Sequence, residues 1–132
     1  MTSPRDLLAP FDDDLVAEVS TEVGCTEADL RDGLREQQAL ARSLPGVDNL
    51  VYEWRRHFDP DPLVARRDDA YYLVVPTTVW SEFRPHLYGS APVLDGVEEV
   101  HRRQLRRVLE REGGGGNAGR LDDGAAVVLT RK

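Results

Sequence analysis

The sequence predicts a small single α+β domain in the order α-α-α-β-β-α-α-β, its sheet of about three strands packed against helices. Three observations carry that expectation. A chain of 132 residues has room for one well-buried core. Apolar residues recur at helical spacing between residues 12 and 58 and again between 96 and 112. Between these blocks, and after them, the pattern changes to short β-rich runs at 63–75 and 125–130.

Residues 1–10 read as a flexible N-terminus from which Leu7 and Leu8 are able to tuck onto the core. A first helix over 12–23 opens on Asp12, Asp13 and Asp14, which suit the positive end of the helix dipole. Leu15, Val16, Val19 and Val23 form its apolar face, and Gly24 stops it. Thr26 with Asp29 resembles a capping box for a second helix to about Ser43, expected to bury Leu30, Leu34, Ala39, Leu40 and Ala41. Pro45-Gly46 breaks it.

Residues 47–58 fit a helix better than a strand, with Leu50, Val51, Trp54 and Phe58 on one face, and Asp59-Pro60-Asp61-Pro62 halts it. Leu63 to Arg67 and Ala70 to Val75 then read as a hairpin around Asp68-Asp69. The second strand is apolar on both faces and belongs at the centre of its sheet. Tyr71 and Tyr72 point to opposite faces, with core packing favoured over one exposed ring. A short helix carries Val79, Trp80, Phe83 and Leu87. A loop with Gly89 and Pro92 follows, then a helix over 96–112 with Val97, Val100, Leu105, Val108 and Leu109 inward and His101 at the boundary. Residues 113–124 read as a Gly-rich loop before a final strand at 125–130.

Composition bears on the milieu. Arginine supplies 16 of the 17 basic residues, isoleucine is absent, and the formal net charge is −7. An acidic, Asp-rich, Lys-poor surface stays solvated in molar salt, where screening relieves its self-repulsion. In this respect the chain resembles proteins of salt-loving archaea, with an acidic protein of a GC-rich soil bacterium as the alternative. No run approaches the length of a membrane span and no basic-then-apolar leader opens the sequence. A soluble, cytoplasmic protein with no membrane association is expected. One cysteine, Cys25, rules out an internal disulfide and a multi-cysteine zinc site.

The candidate catalytic motifs are weak. Gly114, Gly116 and Gly119 spell G-x-G-x-x-G, but a dinucleotide fingerprint needs a strand before it and a helix after it. Here the order is reversed. Glu98 and His101 have the E-x-x-H spacing of di-iron bundles in a single copy, where two are needed. Cys25 precedes a helix whose dipole would lower a thiol pKa, yet no nucleophile signature surrounds it. No serine lies in a G-x-S-x-G elbow. No enzyme, cofactor or metal is expected.

One surface stands out. Residues 97–132 carry a net charge of +2 against −9 for the rest. Arg102, Arg103, Arg106 and Arg107, with Arg111 a turn on, make a guanidinium stripe opposite the apolar face of the 96–112 helix. Arginine's planar fork suits carboxylates and phosphates, so the stripe is a candidate surface for an anionic partner. Its competing role is to pair with Glu98, Glu99, Glu110 or the acidic N-terminal helices. A second route runs through architecture. Three helices followed by a hairpin share the element order of a winged helix-turn-helix, with 47–58 as recognition helix exposing Arg55, Arg56 and His57. The leading expectation is a non-enzymatic interaction module with a protein partner or self-association. A winged-helix-type DNA-binding transcriptional regulator, using helix 47–58, the Arg-rich helix 97–112 or both, is the alternative.

Overall fold

A computed structural model describes residues 6–43, 46–111 and 119–131. Helices α1 (Asp13–Val23), α2 (Glu27–Ser43) and α3 (Val47–His57) precede strands β1 (Leu63–Arg66) and β2 (Ala70–Val75). Helices α4 (Thr78–Phe83) and α5 (Ala91–Arg111) follow, then strand β3 (Ala125–Thr130). Short 3-10 turns occupy Arg84–His86 and Gly119–Asp122. The expected α+β order is the observed one.

The ends of α1 and α2 follow their local signals. Gly24 takes the left-handed conformation at φ 81° and its N–H donates to the Ser20 carbonyl, closing α1. The Thr26 hydroxyl accepts the Asp29 N–H at 3.0 Å, capping α2. The sheet is antiparallel in the order β1-β2-β3, which places β2 in the middle. All six β2 residues are buried, so Tyr71 and Tyr72 both lie in the core and neither ring is an exposed face.

Four expectations need correction. The last helix begins at Ala91 rather than Gly96. Pro92 sits in its first turn, where a missing N–H is harmless, and the Leu94 N–H reaches the Ser90 carbonyl at 2.9 Å. Gly96 is therefore mid-helix, and a Cβ there would lie 2.9 Å from Leu30 Cδ1, so its small size admits α2. The hairpin's first strand ends at Arg66, one residue short. Residues 6–10 are docked rather than loose: Leu8 is buried and the Leu7 carbonyl accepts the Thr130 hydroxyl at 2.6 Å. Of the Gly-rich segment, 113–118 lies outside the described residues, while Gly119–Asp122 forms a 3-10 turn that buries Leu121.

The inward face of α2 is also rotated from expectation. Ala39 is exposed and Leu40 half-buried, while Gln37 and Gln38 are buried. The reason lies across the molecule, on β3. This strand is an edge strand, and its outward backbone groups need partners that no further strand supplies. Side chains supply them. Trp80 Nε1 donates to the Ala126 carbonyl at 3.0 Å, and His101 Nδ1 accepts the Val128 N–H at 2.9 Å. Gln38 donates to the Val128 carbonyl and accepts the Thr130 N–H, at 2.6 and 2.8 Å. Arg42 reaches the Thr130 carbonyl at 3.3 Å. Helices α2, α4 and α5 thus stand in for a fourth strand.

His101 is fully buried, not a boundary residue. Accepting through Nδ1 requires the neutral tautomer that carries its proton on Nε2. Burial drives its pKa down to about 3. Phe11 and Trp80 meet its ring edge-on at 5.0 and 4.9 Å. Helix α5 packs on α1, α2 and β3 together. Val97, Val100 and Leu105 have no exposed surface, so α5 is a rigid platform for whatever its outer side displays.

Candidate functional site

Helical phase divides the five arginines of the α5 stripe. Arg103 and Arg107 lie on the flank that meets α1, and both side chains are about two-thirds buried, at 27% and 32% relative exposure. Arg103 reaches Glu99 at 2.8 Å and Glu18 at 3.1 Å, and also pairs with Glu22. Arg107 holds Asp12 at 2.9 Å and grips Asp14 through both terminal nitrogens, at 3.0 and 3.1 Å. Arg111 approaches Asp12 at 3.7 Å. The Arg103 hydrogen bond lowers the Glu22 pKa and the Arg107 hydrogen bond lowers that of Asp14. Three of the five arginines therefore fasten α5 to α1.

Arg102 and Arg106 differ. Both are exposed, one turn apart on the outer side of α5, and neither makes an ion pair, side-chain hydrogen bond or ring contact among the described residues. Beside Arg102 a cleft of about 310 Å³ opens between α4 and α5, over the start of β3. Thr77, Trp80, Arg84, Glu98 and Gly124–Ala126 contribute to its walls. The acids of this cleft already have partners. Arg84 bonds Asp95 and Glu98, each at 2.6 Å, and Glu99 belongs to Arg103. Sequence reasoning missed Thr77, Arg84 and the Gly124–Ala126 wall, because no local pattern announces that residues this far apart in the chain will converge.

The alternative set on α3 is held by its own chain. Arg55 makes a forked pair with Asp61, at 3.1 and 2.8 Å. Arg56 lies 3.8 Å from Glu53, with its guanidinium 5.6 Å above the Tyr52 ring. His57 Nε2 is 3.2 Å from Glu53. The hairpin tip, at the far end of β1 from Asp61, carries Asp68 and Asp69, and β2 gives its second edge to β3.

The motifs weighed for catalysis are dispersed. Burial, then the Asp29 charge, raises the Cys25 thiol pKa, opposite to the lowering that a helix N-terminus would bring. Glu98 faces Arg84 while His101 faces β3. Among the described residues no three His, Cys, Asp or Glu side chains gather as metal ligands, and no described helix is long and apolar enough to cross a membrane. Among the described residues, Tyr88 (93% exposed) and Tyr52 (59%) are the large hydrophobic side chains left in solvent. Tyr88 borders a second groove of about 370 Å³ beside Asp29, Asp32 and Glu36.

Fold and surface together define a small α+β domain whose last strand is sealed by helix side chains and whose longest helix displays two arginines without partners among the described residues. The chain belongs to the family described as Domain of unknown function (DUF8048), whose model matches residues 9–131. No curated protein and no solved structure matches it.

Proposed function

We propose that the chain is a non-enzymatic interaction module that presents Arg102 and Arg106, on the outer side of α5, to an acidic protein partner. The observation that carries this reading is the division of the arginine stripe. In a chain of net charge −7, where carboxylates are abundant, these two exposed guanidinium groups have none of their own among the described residues. Exposed charges of this kind steer and orient a partner, and forked guanidinium–carboxylate bonds supply close-range affinity that survives screening better than a long-range field. The acidic remainder of the surface suits a salt-rich interior of the halophile type, where that distinction matters.

The second reading is a winged-helix DNA-binding regulator, favoured by the run of three helices into a hairpin. It would require Arg55, Arg56 and His57 to leave Asp61 and Glu53 for phosphates, and an acidic hairpin tip to approach them.

Fluorescence anisotropy separates the two. A labelled Asp/Glu-rich peptide and a labelled random DNA duplex are titrated with the protein across about 0.2 to 2 M KCl, with circular dichroism confirming the fold. The expected result is peptide binding that weakens about tenfold in Arg102→Gln, Arg106→Gln or both, with an unchanged melting temperature. Duplex binding lost on Arg55→Gln and Arg56→Gln would overturn the proposal in favour of the regulator. Absence of peptide binding by folded protein would overturn it outright.

A further inference from the structure

We propose that the cleft between α4 and α5 is the anchoring pocket of this surface, taking one carboxylate of the partner's acidic segment on Arg102, while Arg106 engages a second acid one turn along. This rests on the interaction reading above and adds the chemistry of the bound group and the place where it enters.

The lining holds two guanidinium groups and three carboxylates, Asp95, Glu98 and Glu99. Arg84 is taken by Asp95 and Glu98, and Glu99 by Arg103. The formal charges of the lining sum to −1, yet among the described residues Arg102 alone of them makes no ion pair, so its fork of N–H donors stands open at the rim. An incoming anion meets a free fork of N–H donors there.

Strand alternation turns the N–H and carbonyl of residues 126, 128 and 130 to the same outer edge of β3. Side chains of α2 and α5 occupy that edge at Val128 and Thr130, and Trp80 takes the Ala126 carbonyl. The Ala126 N–H follows on the same edge, where Gly124, Ala125 and Ala126 form the cleft wall. An amide N–H beside a free guanidinium is a donor set for a carboxylate.

Charge and size within the cleft decide the class of anion. Asp95, Glu98 and Glu99 remain within the lining although each is paired. Their field weighs about twice as heavily on a doubly charged phosphate as on a single carboxylate. A volume of about 310 Å³ accommodates an Asp or Glu side chain or a chain terminus, but not a duplex groove. An acidic protein segment is the occupant these features favour.

The test is amide and arginine-side-chain NMR on the ¹⁵N-labelled full chain. It is titrated with an Asp/Glu-rich peptide, its Asn/Gln counterpart, inorganic phosphate and a DNA duplex. The acidic peptide is expected to move the Arg102 Nε–H and the Gly124, Ala125 and Ala126 amides, and the amide counterpart to leave them still. Arg102→Gln removes those shifts. Arg106→Gln leaves their pattern intact and weakens the peptide about tenfold. Thr77→Trp fills the cleft from an exposed position without substituting an arginine, and should abolish the 124–126 shifts while Arg106 still responds. Arg102→Lys, which keeps the charge and loses the fork, is a second variant free of any packing change and should weaken the shifts.

Shifts confined to the Arg106 region, with 124–126 unmoved, would overturn the pocket and leave the interaction surface standing. No response to the acidic peptide at any site would overturn both. Phosphate or duplex moving the same amides more strongly than the peptide would overturn the carboxylate assignment.

Discussion

At the residue scale, the side chains that seal β3 couple polar chemistry to stability. His101 is neutral when folded, with a pKa near 3 against about 6.5 when unfolded. Its folded-state pKa is depressed, so the unfolded chain binds a proton that the folded chain refuses. Above pH 6.5 the group has no effect on stability, and between pH 6.5 and 3 it destabilises progressively. By pH 5 the loss should reach about 2 kcal/mol relative to pH 7. His101→Asn places an amide oxygen where Nδ1 accepts from Val128 but does not titrate. Urea unfolding at both pH values should show the variant losing about 2 kcal/mol less than the wild type; equal losses would mean that His101 is not the group responsible. Gln38 makes a sharper case. Gln38→Leu adds apolar surface, yet it leaves the Val128 carbonyl and the Thr130 N–H buried without partners. Unfolding should report a loss of about 2–5 kcal/mol, whereas Ala39→Gln on the exposed side of the same helix should stay within about 0.5 kcal/mol.

At the scale of elements, packing between helices reverses an intrinsic preference. Gly33 lies inside α2, where replacement by alanine would ordinarily add about 1 kcal/mol to helix stability. A Cβ at this position would stand 2.8 Å from Val93 Cγ1 and 3.0 Å from Val97 Cγ2, both on α5. Valine is stiff about χ1 and both residues are buried, so neither methyl has a free direction in which to retreat. Overpacking of about 1–3 kcal/mol then outweighs the helix gain. Gly33→Ala should lower the denaturation midpoint without altering the slope; a raised midpoint would show that α2 and α5 can separate at little cost. The boundaries of α1 and α2 were legible because caps and glycine stops are local. The start of α5 was not, because Pro92 and Gly96 read as breakers until the first turn and the contact with Leu30 give them their roles.

At the scale of the whole molecule, two electrostatic effects oppose each other in salt. The Arg103 and Arg107 clusters tie α5 to α1 through partly exposed pairs that salt weakens. Against this stands the self-repulsion of a chain with net charge −7, which salt relieves. For the salt-adapted character proposed above, relief should win: the melting temperature should rise between about 0.05 and 1 M KCl, and a flat or falling profile would count against it. The outer side of α5 should be nearly silent in the same experiment, since Arg102 and Arg106 have no ion pair to lose among the described residues.

What the sequence determined by itself is the order of elements, the central place of β2 and the apolar face of α5. Each depends on residues within a turn or two of one another, where spacing, caps and prolines act directly on the backbone. Tertiary structure decided which polar residues go inside and which arginines stay out. Gln38 and His101 are buried because the outer edge of β3 leaves backbone donors and acceptors that only distant side chains can reach, and Gln37 is buried beside them, its side-chain oxygen accepting the Gln38 amide N–H. The arginine stripe was legible as five equal charges. Its division became visible only once α1 had docked along one flank of α5 and satisfied three of them, because ion pairing depends on distance in space and not on distance along the chain.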